Sequence, residues 1–94
     1  MVAVSLAVPA ARTHAVAPDV LTDIYWSLAV PSDGLSHVRV GRAGDSRIAL
    51  VLFMQAAGPQ QASAAAIELS RRVTRTAPYC AQWHVYSAST IDRQ

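Results

Sequence analysis

The chain contains no lysine: its eight basic residues are all arginine, set against six acidic ones. Charged residues make up only 15% of the sequence, where soluble domains carry about 25%. The formal net charge is +2. The pI of 9.2 reflects that small arginine excess and does not by itself argue for a nucleic-acid partner. A single cysteine, Cys80, excludes an internal disulfide and a CxxC zinc site, and a reducing compartment is expected. No stretch approaches the ~18 apolar residues of a membrane helix. The opening MVAVSLAVPAARTHA has a short apolar run without the preceding positive charge of a signal peptide. A cytoplasmic protein without membrane contact is the expectation. GxSxG, HExxH and phosphate-loop patterns are also lacking.

What is present in excess is apolar material. Hydrophobic residues reach 52% over 94 residues, with a mean hydropathy of +0.24. This length corresponds to one small α+β domain, residues 1–94, which buries a smaller fraction of its surface than a large one. The surplus is expected in a subunit interface, and a closed two-fold homodimer is the commonest arrangement. The alanine and arginine bias is that of a high-GC bacterial genome, with an actinobacterial source expected.

Alternation of Val2, Val4, Leu6 and Val8 predicts a first strand, whose pairing is left open. Residues 9–18 and the tail 90–94 read as loose, with a helical turn possible near Pro18–Thr22. Ile24, Trp26, Leu28 and Val30 alternate and predict a strand over 23–30. PSDG, 31–34, is a turn in which Asp-Gly supplies the left-handed positions. Residues 36–42 alternate again, with Val38 and Val40 inward and His37 and Arg39 outward. Residues 47–55 are apolar on both faces and predict a central strand. Pro59 suits a first helical turn, and Ala62, Ala65, Ala66, Leu69 and Val73 make one face of a helix over 59–76. Glu68 and Arg72 have the spacing of a surface pair. Pro78 ends the helix, and residues 80–88 predict a last strand, parallel to 47–55 through a crossover. The expected architecture is a two-layer α+β domain with order β-β-β-β-α-β: a mostly antiparallel sheet of four to five strands and one helix on one face. One helix cannot cover such a sheet, so part of it should be bare.

Candidate sites are few. Cys80 and His84 would be about 13 Å apart in a strand rising about 3.3 Å per residue, too far for a catalytic pair. Cys80 has no adjacent charge, and buried cysteine behaves as a small hydrophobe. His37 and His84 could meet across strands but lack a third metal ligand, and His14 has no histidine neighbour. No metal, cofactor or catalytic residue is assigned. Tyr25, Trp26, Trp83 and Tyr86 are the aromatics suited to a partner surface, because Trp and Tyr anchor contacts, although core packing is the plainer account of them. Gln82, His84 and Tyr86 should share one strand face. Arg39, Arg42 and Arg47 cluster at one hairpin and Arg71, Arg72 and Arg75 at the helix end. Arginine forks suit carboxylates and phosphates, but a solvated surface accounts for such clusters too.

Strands followed by GPQQASAAAIELSRR, over 23–76, resemble the later part of a double-stranded-RNA-binding domain. That resemblance implies lysines at the helix start, where Gln60 and Gln61 stand here. The leading expectation is therefore a non-catalytic homodimeric binding or accessory protein that acts through a sheet face or apolar groove. A module that binds nucleic acid or an acidic partner through its arginines is the alternative, and a small enzyme with an apolar pocket the third.

Overall fold

The computed structural model describes residues 1–9, 16–44 and 46–91, the side chains of residues 42 and 43 excepted. In chain order the elements are β1 (Val2–Ala7), α1 (Pro18–Leu28), β2 (Leu35–Gly44), β3 (Arg47–Met54), α2 (Pro59–Thr76) and β4 (His84–Thr90). Short 3-10 turns at Pro31–Asp33 and Pro78–Cys80 follow the two helices. The four strands form one antiparallel sheet in the order β2-β3-β1-β4. β3 and β4 thus run parallel with β1 inserted between them, a split β-α-β (ferredoxin-like) arrangement. The parallel relation of 47–55 to the last strand holds, but through an intervening strand.

The expected strand at 23–30 is a helix. Ile24, Trp26, Leu28 and Val30 do alternate, but Leu21, Ile24, Tyr25 and Leu28 also fall at helical spacing. Pro18 occupies the first turn and Asp19 lies in it, which fits the N-terminal end of a helix dipole. Leu21 and Tyr25 are fully buried, whereas Trp26 faces solvent at 45% exposure. Val30 is already extended (φ −112°, ψ 158°), as a residue before proline tends to be. The resemblance to a double-stranded-RNA-binding domain fails here, since its first strand would be α1.

α2 spans the expected residues, with Gly58 before it and Pro59 in its first turn. Ala62, Ala66, Leu69, Ser70 and Val73 are buried, and the small residues let the helix lie close to the sheet. Glu68 pairs with Arg75 at 3.7 Å, both exposed, and not with Arg72. Arg72 instead reaches Asp33 at 2.9 Å and donates to the Leu28 carbonyl at 3.0 Å. Asp33 also accepts the Val30 N–H at 2.9 Å, so Arg72 ties α2 to the turn that leaves α1.

The core is a single cluster in which Val2, Val4, Leu6, Val38, Ile48, Leu50 and Leu52 of the sheet meet Leu21, Tyr25, Ala66, Leu69 and Val73 of both helices. Both helices therefore cover the same face of the sheet. β3 is central, but its apolar residues are enclosed on that side only: Ala49, Val51 and Phe53 remain partly exposed on the other. The last strand begins at His84 and not at Cys80, because Pro78 starts a 3-10 turn. Of the stretches expected to be loose, Val16 is buried and Pro18 opens α1. Thr90 pairs with Val2, and the Ile91 N–H donates to the Met1 carbonyl at 2.9 Å. Residues 10–15 and 92–94 lie outside the described residues.

Candidate functional site

The bare face of the sheet is built by strand alternation. With Val2, Val4 and Leu6 inward, Ala3, Ser5 and Ala7 point the other way, and all three are partly exposed. Registry places Val51 and Ala49 of β3 beside Ala3 and Ser5, and Arg39 and Gly41 of β2 beside Val51 and Ala49. His37 lies beside Phe53, with ring centroids 5.5 Å apart. On β4, His84 pairs with Ala7, Ser87 with Ser5 and Ser89 with Ala3. The result is a floor of small residues on the central strands, with larger side chains around it.

One rim of this floor is held by Arg47 and Tyr86. Ala7 pairs with Arg47 on one side and His84 on the other, which puts the two outer residues about 10 Å apart. The register of β1 against β4 shifts between Ser5 and Leu6, a bulge that leaves Tyr86 as the extra residue and re-aims it. Its ring lies under the Arg47 guanidinium, 3.4 Å from carbon to ring centroid. Arg47 thus crosses the small Ala7 to form a cation–π contact with a tyrosine that keeps 54% exposure.

The aromatic candidates divide. Trp26 and Tyr86 are exposed, but Tyr25 is fully buried and Trp83 is 5% exposed, so both belong to the core and line no surface. The Tyr25 hydroxyl donates to Ser70 Oγ at 2.8 Å. Burial pushes the Tyr25 hydroxyl well above the usual phenol range, partly opposed by the Ser70 hydrogen bond. Trp83 packs edge-on against Tyr79 at 5.9 Å, and its buried Nε1 has no hydrogen-bond partner among the described residues. The Tyr79 hydroxyl accepts the Ala17 N–H at 2.9 Å, joining the approach to β4 to the start of α1. Cys80 is fully buried, so it does not share the face of His84. Gln82 sits in the preceding turn with φ 71°. Only His84 and Tyr86 of that expected trio lie on the bare face.

The arginine clusters also separate. Arg39 and Arg47 are on the bare face, the Arg42 side chain lies outside the described residues, and Arg71, Arg72 and Arg75 are on α2 in the other layer. His37 and His84 stand on the two edge strands, about 14 Å apart across the sheet alone, and cannot share a metal. Among the described residues no group of three or more His, Cys, Asp or Glu side chains could hold a metal ion. No described helix is long and apolar enough to cross a membrane.

A second surface is a shallow cleft of about 490 Å³ lined by Trp26, Ala29, Val30, Pro31, Gly34, Leu35, Ser36 and Gln55. No titratable side chain lines it, so it offers apolar contact and a few amide or hydroxyl groups. The Tyr86–Arg47 stack and Ser70 as a core hydroxyl were not foreseen from sequence, because each depends on a partner distant in the chain. No family model, curated protein or solved structure matches this chain.

Proposed function

We propose that this chain is a non-catalytic, homodimeric binding protein whose working surface is the bare face of its sheet. The observation that carries this reading is the packing of both helices on one side, which leaves Ala3, Ala7, Ala49, Val51 and Phe53 partly exposed on the other. Four strands at about 4.8 Å spacing and seven residues at about 3.3 Å give a flat footprint of roughly 440 Å². That flat figure, before side-chain relief, is about half the ~800 Å² each partner contributes to a standard interface. Alanine and serine along its centre let a second sheet approach closely. Three side chains with reactive groups are engaged in the fold: Cys80 is in the core, Ser70 is hydrogen-bonded to Tyr25 and Asp33 is paired with Arg72.

Light scattering on a size-exclusion column tests this reading. The expected mass is twice 10.0 kDa, and Val51→Glu should halve it while leaving the circular dichroism spectrum unchanged. A wild-type mass near 10.0 kDa at micromolar concentration removes the dimer. A second reading, an anionic partner for the arginines, is favoured by the sign of the face: Arg39 and Arg47 lie on it, and no described carboxylate does. It predicts binding that falls steeply with salt.

A further inference from the structure

Among the described residues the two sides of the sheet differ in charge. The described carboxylates, Asp19, Asp23, Asp33 and Glu68, all belong to the helices and the turn after α1. Asp45 and Asp92 lie outside the described residues. Arg39 and Arg47 stand on the bare face, and among the described residues the ion pairs go to Arg72 and Arg75. If two copies pair through this face, as proposed above, four guanidinium groups enter one largely apolar interface. Cations withdrawn from water need an opposite charge.

Arg47 is arranged to receive one. Its stack on Tyr86, 3.4 Å from guanidinium carbon to ring centroid, occupies one flat side of the guanidinium. The in-plane N–H groups are left, and these form the fork that matches a carboxylate or phosphate with two parallel hydrogen bonds. Arg47 is partly buried, so it is better held than a fully solvated arginine. Ala7 pairs with Arg47, and Ala49, Ser5 and Ser87 follow in the next row across the same face, small residues that leave room for a small body.

We propose that Arg47, stacked on Tyr86, is the seat for the oxyanion of a small-molecule ligand bound on the sheet face. The inference rests on that face being the working surface. A ligand that binds the paired faces strengthens the pairing by mass action.

The test is sedimentation equilibrium of the full chain at one fixed ionic strength, with sodium chloride replaced in part by benzoate or by inorganic phosphate. Each arm is paired with a calorimetric titration of the same anion. The expected result is a dimer dissociation constant at least tenfold lower in one of the two anions. A response to benzoate alone assigns a carboxylate on a flat apolar body, and a response to phosphate alone a phosphate group. Arg47→Gln should abolish the response, whereas Arg71→Gln, exposed in the other layer, should preserve it. A chain that is monomeric in every buffer, yet gives binding heat that Arg47→Gln removes, overturns the dimer and supports the Arg47 seat. No change in association and no heat with either anion overturns the seat, as does an equal loss in Arg71→Gln. Tight, salt-sensitive binding of oligothymidylate with no response to either small anion also overturns it, assigning the face to a polyanion.

Discussion

Replacing Asp33 with alanine tests the ion pair that joins α2 to the turn after α1. Asp33 is 8% exposed, and one of its carboxylate oxygens accepts both the Val30 N–H and Arg72 Nη1, each at 2.9 Å. A neutral backbone hydrogen bond contributes about 1 kcal/mol and a charged one about 1.5–3 kcal/mol. The Arg72 side chain keeps 26% exposure, so water recovers part of the second term. Asp33→Ala should therefore cost about 2–3 kcal/mol in urea unfolding followed by circular dichroism. Arg72→Ala should cost a similar amount, because it leaves a nearly buried carboxylate with one donor and also removes the bond to the Leu28 carbonyl. In the double mutant these losses should overlap, with a coupling of about 1–2 kcal/mol. A coupling below about 0.5 kcal/mol would show that the pair is a solvated contact and that α2 is held to the turn by packing alone.

Three further outcomes are expected. Gly34 has φ 72°, and a Cβ there would run into the Gln55 carbonyl, beside the hydrogen bond from Gln55 N–H to the Gly34 carbonyl. Gly34→Ala should cost about 2–3 kcal/mol by the same urea assay, and a loss under about 0.5 kcal/mol would refute the close approach. Tyr25 is neutral in the fold with its ionisation pushed upward by burial, so its stabilising effect is complete below the unfolded phenol value of about 10. It should weaken above that pH by about 1.4 kcal/mol per pH unit. Tyr25→Phe should lose about 1 kcal/mol at neutral pH but show a flatter decline from pH 10 upward, and an unchanged alkaline slope would contradict the assignment. Gln82 holds a left-handed φ of 71°: Gln82→Gly should be neutral or stabilising in thermal unfolding, and Gln82→Val should cost about 1–2 kcal/mol.

Period and punctuation carried most of the fold. Proline within the first turn and an alanine-leucine stripe made α2 legible to the residue, alternation located β1 and β2, and a continuous apolar run located β3. α1 was not legible because its apolar residues satisfy two periods at once. Over 23–30 every second residue is large, yet Leu21, Ile24, Tyr25 and Leu28 also share a helical face. Including Pro18 and Asp19 in the same window decides between them, since both favour a helix start. Cys80 was misplaced by treating Pro78 only as the end of a helix, when it also opens a 3-10 turn.

The bare face of the sheet was half legible. Alternation put His37 and Arg39 outward, and His84 and Tyr86 on a common face, and the structure agrees on those positions. What alternation does not encode is which strands lie side by side. Arg47 and Tyr86 are on strands that the crossover through α2 would place next to each other, yet β1 lies between them. A guanidinium can reach the tyrosine across an intervening strand only if the residue between is small, and Ala7 is that residue. The large-small alternation of VAVSLAV thus has two consequences: its valines and leucine fill the core, and its alanines and serine leave the opposite face open. A leucine at position 7 would leave the core untouched and still stand in the path of the stack. The first strand, whose pairing its own residues do not reveal, is therefore the element that makes the Arg47–Tyr86 arrangement possible.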